Sequence, residues 1–135
     1  MKILTYRIQF IILAIWIPVV LILFKVIDDK TLAAMLAGAG FVLWPLIFLI
    51  NELFVMQRSK HKLSIIHLIG CLQFLILFAL PIMYLRISNL NAPFNELSLL
   101  GVPGSQLHRF SNISYMIMTV AVVYASYEAR KNKNR

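Results

Sequence analysis

The sequence contains few charged residues and almost no cysteine. Charged side chains make up 13% of the 135 residues, whereas hydrophobic residues make up 61%. Because soluble domains carry about 25% charged residues, this composition argues against a soluble protein. The single cysteine, Cys71, excludes an intramolecular disulfide and a paired-cysteine redox or metal motif.

The sequence also lacks the short motifs of common enzymes and nucleotide-binding proteins. It contains no HExxH, no Gly-x-Ser-x-Gly and no glycine-rich phosphate loop. We therefore expect no metal, no cofactor and no catalytic residues of a familiar class.

The apolar residues that dominate the chain gather into four blocks: Ile8–Phe24, Leu32–Met56, Leu63–Leu85 and Phe110–Tyr127. A helix needs about 20 apolar residues to cross a hydrocarbon core of roughly 30 Å. The first two connections, 25–31 and 57–62, are short enough to make successive helices antiparallel neighbours. The blocks predict an all-α polytopic membrane protein, in which residues 1–135 form a single up-down bundle of four transmembrane helices.

The third connection, residues 86–109, is longer and more apolar than a free linker. Its segment Pro93–Gly101 has the pattern of a short amphipathic helix, and Val102–Gly104 has the composition of a turn. We expect this helix to lie on the outer membrane surface or to fold over the bundle.

The positive charges predict the orientation in the membrane. Nine of the 13 Lys and Arg residues fall on one side of the predicted spans: Lys2, Arg7, Arg58, Lys60, Lys62, Arg130, Lys131, Lys133 and Arg135. The opposite side carries Lys25, Lys30, Arg86 and Arg109. The positive-inside rule then predicts that both termini lie in the cytoplasm. The short connections and the net charge of +8 fit a protein of a bacterial inner membrane. This explanation accounts for the net charge of +8 without nucleic acid as a partner.

Two ionisable residues fall inside the predicted spans, Glu52 and His67. Each lies five residues from the connection 57–62, so both are expected about 7–8 Å below the interface. We predict a hydrogen-bonded or ionic pair between the second and third helices, with Asn51 close by and with Ser64 and Cys71 on the face of His67. The alternative is that both side chains only hold helices together or reach the nearby head groups.

Other residues in the spans indicate helix packing. Gln73 needs a partner at mid-membrane, and the polar side chains of the last span indicate that protein or a wet cavity shields it. The spacing of Ala34 and Gly38 allows close approach of helix backbones within the chain or between chains. The residues expected to pack helices or to line a pore are Asn51, Gln73, Asn112, Ser114 and Thr119.

Three functions remain open from the sequence. The first is a non-enzymatic membrane subunit, of a scaffold, accessory or immunity type, that assembles with itself or with a larger membrane protein. The second is an oligomeric pore or a carrier of small solutes or ions. The third is a lipid-acting membrane enzyme that uses Glu52 and His67 as its acid and base.

Overall fold

The computed structural model describes residues 4–56 and 63–133. Helix accounts for 84% of the structure, which confirms a mostly helical chain. Three helical stretches are long and apolar enough to cross a membrane: Tyr6–Val26, Lys30–Phe54 and Ile65–Ser88. The predicted connection 57–62 and the basic residues Lys2, Arg58, Lys60, Lys62 and Arg135 lie outside the described residues.

The first two helices, α1 (Tyr6–Val26) and α2 (Lys30–Ile50), are joined by a connection of three residues. The Asp29 carboxylate caps α2 by accepting hydrogen bonds from the first backbone N–H groups of the helix. The Lys30 ammonium donates to the carbonyl oxygens of Phe24 and Ile27 at the end of α1. These contacts satisfy both helix ends at the turn.

Helix α2 continues beyond Ile50 as a π-helical segment, Asn51–Met56. The next helical stretch consists of α3 (Ile65–Phe74), a second π-helical segment (Leu75–Ala79) and α4 (Leu80–Ser88). Pro81 explains the second π-helical segment. Proline has no N–H, and its ring would clash with the carbonyl four residues earlier in a regular α-helix. The helix therefore stays continuous through this proline.

The helix predicted at Pro93–Gly101 is not present as such. The segment contains a 3₁₀ turn (Phe94–Glu96) and two antiparallel strands, β1 (Ser98–Leu99) and β2 (Val102–Pro103). The chain reverses at Leu100 and Gly101, whose φ angles are 51° and 80°, and not at Val102–Gly104 as predicted. Positive φ at both positions is typical of a type I′ hairpin turn, and Gly101 supplies one of them without strain. The hairpin thus replaces the amphipathic helix.

The last helix, α5 (Gly104–Lys133), is the longest and extends well beyond the predicted span Phe110–Tyr127. Its first residue donates a backbone hydrogen bond to the carbonyl of Leu97. A Cβ atom at Gly104 would lie 2.0 Å from the carbonyl oxygen of Phe94, so only glycine allows the connection to pack against the start of α5.

The four helical stretches run alternately in opposite directions. Side-chain contacts join the start of α1 to the end of α2 and the start of α3 to the end of α5. We call the end of the bundle that holds Tyr6 and Glu128 the terminal end, and the end that holds the hairpin 98–103 the loop end. The core between them includes the fully buried side chains of Leu13, Phe48 and Met118.

Candidate functional site

The terminal end of the bundle encloses a cluster of buried polar side chains centred on Glu52. This residue lies in the π-helical extension of α2 and is completely buried. Its carboxylate accepts hydrogen bonds from the Tyr6 hydroxyl, which lies 2.8 and 2.9 Å from the two oxygens, and from the backbone N–H of Ser64 at 2.8 Å. Three helical stretches therefore meet at one carboxylate.

His67 lies beside Glu52, as the matching depths of the two residues predict. Its Nδ1 atom is 3.5 Å from Glu52 Oε2, and both side chains are fully buried. This separation is short enough for an ion pair but longer than a good hydrogen bond, and Nδ1 has no hydrogen-bond partner among the described residues. The contact is therefore electrostatic.

The other ring nitrogen of His67 is held by Gln9 of α1, with 2.6 Å between His67 Nε2 and Gln9 Oε1. The Gln9 amide nitrogen donates to the carbonyl of Leu4 at 2.9 Å, so the Gln9 oxygen faces the imidazole. Because an amide oxygen can only accept, Nε2 carries a proton in this arrangement. Cys71 lies one turn further along α3, with its sulfur 3.8 Å from the same nitrogen.

The hydrogen bond to Gln9 constrains the tautomer of His67, because Nε2 carries a proton while Nδ1 faces Glu52. The donors from Tyr6 and Ser64 favour the ionised form of Glu52, because a carboxylate accepts hydrogen bonds more strongly than a protonated carboxyl group does. Glu52 is therefore held by donors from two parts of the chain and lies beside the imidazole.

Asn51 is close to the pair but binds a different partner. Its amide accepts from the backbone N–H of Leu4 at 2.9 Å and donates to the carbonyl of the same residue at 3.0 Å. Asn51 thus anchors the segment that precedes α1. Ser64 caps α3 and also contacts Glu128 of α5, with 3.4 Å between the two oxygens.

The sequence did not single out three members of this cluster, Tyr6, Gln9 and Glu128. Tyr6 and Glu128 lie just outside the predicted apolar blocks, at the start of the first and the end of the last. Gln9 is a lone amide inside an apolar block, which is the same signal that drew attention to Gln73.

A second polar contact holds α3 and α5 together at mid-bundle. The Gln73 amide donates to the backbone carbonyl of Ser114 at 2.9 Å and accepts a hydrogen bond from the Ser114 hydroxyl. Below it, a Cβ at Gly70 would lie 2.5 Å from the Cβ of Ala121. The two helices are therefore in close contact around a reciprocal polar clamp.

The small residues Ala34 and Gly38 face the interior of the same chain. Ala34 is buried, and a Cβ at Gly38 would lie 2.9 Å from the sulfur of Met83 on α4. The tightest contact at a glycine of α2 is at Gly40, where a Cβ would lie 1.8 Å from the Trp16 ring of α1. The small-residue segment of α2 thus serves packing within the bundle.

Asn112 and Thr119 of α5 line a cavity of about 820 Å³ between the four helical stretches, on the side toward the loop end. Most of its lining is apolar, and Arg86 and His108 also contribute to it. Ser114 is turned away from this space because it binds Gln73. The polar residues of α5 therefore lie in two places: Asn112 and Thr119 line the cavity, and Ser114 lies in the contact with α3.

Within residues 4–56 and 63–133, no group of three or more His, Cys, Asp or Glu side chains is arranged to hold a metal ion. In comparisons with known proteins, no family model, curated protein or solved structure matches this chain. The geometry of the chain is therefore the guide to its function.

Proposed function

We propose that this chain is a four-span membrane protein that acts as a non-enzymatic subunit and assembles with itself or with a larger membrane partner. The observation that carries the proposal is the enclosure of Glu52 and His67. Both are fully buried: the Glu52 carboxylate accepts hydrogen bonds from Tyr6 and Ser64, and His67 Nε2 donates to Gln9. An acid and base sealed in this way stabilise helix packing and have no room for a substrate.

The contacts of α5 support its role as the fourth span. The helix has 30 residues, about 45 Å at 1.5 Å per residue, so it is longer than the hydrocarbon core. It is not among the three helices that qualify by apolar composition. Its mid-helix polar groups are nevertheless paired inside the bundle, since Ser114 binds Gln73 and the Tyr115 hydroxyl donates to the carbonyl of Leu13. Polar side chains that are hydrogen-bonded inside the bundle cost little free energy in a membrane.

The proposed orientation keeps both termini in the cytoplasm and the loop end outside, in a bacterial inner membrane. Its support is the excess of Lys and Arg beside the spans on the terminal side. The buried Glu52 cluster then lies near the cytoplasmic surface.

The pore and enzyme alternatives have less support from the geometry. The aromatic rings of Phe41, Phe74 and Tyr115 form a layer in the cavity lining and contact one another with centroids 5.4–6.2 Å apart. A polar path through one chain would have to pass this layer. A lipid-acting enzyme would need Glu52 and His67 to face a substrate, but the cluster encloses both.

Assembly would use the outward surface of α1, because this helix is the least covered of the three apolar stretches. In the most apolar 18-residue segment of each helical stretch, 11% of α1 is buried within the chain, compared with 39% for the second stretch and 33% for the third. Ile11, Ile15 and Ile22 form an exposed stripe on α1. In a membrane such a stripe contacts either lipid or another helix.

The mass of the purified full-length protein in detergent tests the proposal. We expect a protein mass above 15.5 kDa, as a multiple of the chain or with a stoichiometric partner. An Ile15→Cys variant should form disulfide-linked copies or a linked partner, whereas Ile69→Cys, on the exposed face of α3, should not. A monomer that turns over lipid would contradict the proposal, and loss of that turnover in Glu52→Gln would establish the enzyme instead.

A further inference from the structure

The cavity near the loop end has the features of a ligand-binding site. Its volume of about 820 Å³ lies within the 300–1,000 Å³ typical of pockets that bind small organic molecules. All four helical stretches contribute apolar side chains to it, among them Ile17, Phe41, Phe74, Ile82, Met116 and Val120. A cavity with this lining favours a hydrocarbon ligand.

The depth of the cavity matches one leaflet of a bilayer. On α5 its lining extends from His108 to Val120, which corresponds to about 18 Å of helix. Half of a hydrocarbon core of roughly 30 Å is about 15 Å. The cavity therefore has room for an acyl chain that enters from the leaflet at the loop end and extends to about the middle of the bilayer.

The charge of the cavity is confined to the loop end and is positive. Arg86 and His108 line it there, beside the polar side chains of Ser111 and Asn112. Burial and the Arg86 guanidinium both lower the pKa of His108, so this imidazole is neutral near pH 7 and Arg86 carries the positive charge. Arg86 makes no ion pair with a carboxylate among the described residues, and its guanidinium lies 4.3 Å above the ring of Phe94. A partly buried guanidinium that has no acidic partner attracts an anion, so Arg86 favours an anionic group at this end of the cavity.

We propose that the cavity binds a membrane amphiphile with an anionic head group. The hydrocarbon chain occupies the apolar space between α1, α2, α4 and α5, and the carboxylate or phosphate contacts Arg86 at the loop end. This inference goes beyond the proposed subunit function, because it applies to a monomer as well as to an assembly.

Two pairs of variants separate this site from general lipid contact. Arg86→Gln removes the cation at the cavity, and Arg109→Gln removes an equivalent charge from the exposed surface nearby. Ala14→Phe places a ring in the cavity, and Ile113→Phe places one at an exposed position of α5 outside the cavity lining. Arg86→Lys retains the charge and should retain binding. Far-UV circular dichroism and melting in detergent identify any variant that does not fold. If one pair contains such a variant, the other pair decides the result.

The experiment is native mass spectrometry of the delipidated full-length protein with four probes. The anionic probes are oleate and phosphatidylglycerol, and the neutral probes are monoolein and phosphatidylcholine. We expect one bound anionic probe per chain. Comparison of oleate with phosphatidylglycerol shows whether the site prefers the carboxylate of a fatty acid or the phosphate of a phospholipid. Binding should weaken about tenfold or more in Arg86→Gln and Ala14→Phe and should stay unchanged in Arg109→Gln and Ile113→Phe. Equal binding of anionic and neutral probes, or equal loss within each matched pair, would overturn the proposal. Exclusion of all four probes by a co-purified protein chain would overturn it in favour of a protein occupant.

Discussion

At the scale of single residues, the structure concentrates its polar chemistry on Glu52. A carboxylate within an apolar helix is costly unless donors surround it. Tyr6 and Ser64 supply two such donors, and the His67 imidazole lies 3.5 Å from the carboxylate. The cluster therefore fixes the positions of α1, α2 and α3 relative to one another.

Replacing Tyr6 with Phe removes one donor while it preserves the ring. The buried carboxylate then loses a charge-assisted hydrogen bond, so we expect the free energy of unfolding to fall by about 1–2 kcal/mol. Tyr84→Phe removes an exposed hydroxyl from α4 and should leave stability unchanged. Reversible unfolding in mixed micelles measures both variants, and equal effects would show that the Tyr6 hydroxyl contributes nothing specific.

Glu52 and His67 should also show energetic coupling. We expect Glu52→Gln and His67→Gln to destabilise the protein singly, and the double variant to lose less than the sum of the two. Contacting charged residues typically give a coupling energy of about 0.5–3 kcal/mol. A double-mutant cycle on the free energy of unfolding measures it. Strictly additive effects would mean that the 3.5 Å contact carries no interaction.

At the scale of helices, close packing depends on glycine at one position of α2. Trp16 of α1 lies directly on Gly40, whereas Gly38 faces the flexible end of Met83. Gly40→Ala should therefore destabilise the bundle by about 1–3 kcal/mol through overpacking. Gly38→Ala is the matched control, because Met83 can move and alanine favours the helix. Thermal melting in detergent compares the two, and equal stability of the variants would contradict the assigned contact with Trp16.

The hairpin contains a conformational strain that a single substitution relieves. Leu100 has a φ of 51° and is 98% exposed, although this left-handed conformation costs a residue with a Cβ about 1–2 kcal/mol. Asparagine tolerates the conformation better. Leu100→Asn should raise the free energy of unfolding by up to about 1 kcal/mol, measured in the same micelles. A decrease would show that the Leu100 side chain makes a stabilising contact in the folded protein.

The sequence predicts the helices better than the connections, because apolar blocks are visible in composition and turns depend on a few dihedral angles. Each of the four blocks forms a helical stretch. The hairpin was not predicted, since leucine at position 100 hides a turn that needs positive φ. Counting residues from the connection 57–62 placed Glu52 and His67 at one level. Tyr6 and Gln9 were missed because a partner on α1 depends on helix rotation, which an almost uniformly apolar block does not reveal.

At the scale of the whole molecule, the terminal end is tightly packed around polar groups and the loop end is open around a cavity. The close contacts of α1 lie near Tyr6, Gln9 and Leu13. Toward the loop end, α1 and α5 both line the open space. This asymmetry assigns stability to the half near the termini and binding to the half near the hairpin.

The four-span bundle depends on α5 crossing the membrane, because this helix decides whether the two termini lie on the same side. Labelling with a membrane-impermeant maleimide tests this in a Cys71→Ala background, with single cysteines at the exposed positions Asp28, Asn95 and Arg130. In intact cells, Asp28→Cys and Asn95→Cys should be labelled, and Arg130→Cys should react only after the membrane is permeabilised. Labelling of Arg130→Cys together with Asn95→Cys in intact cells would mean that α5 does not cross the membrane, and would contradict the four-span bundle.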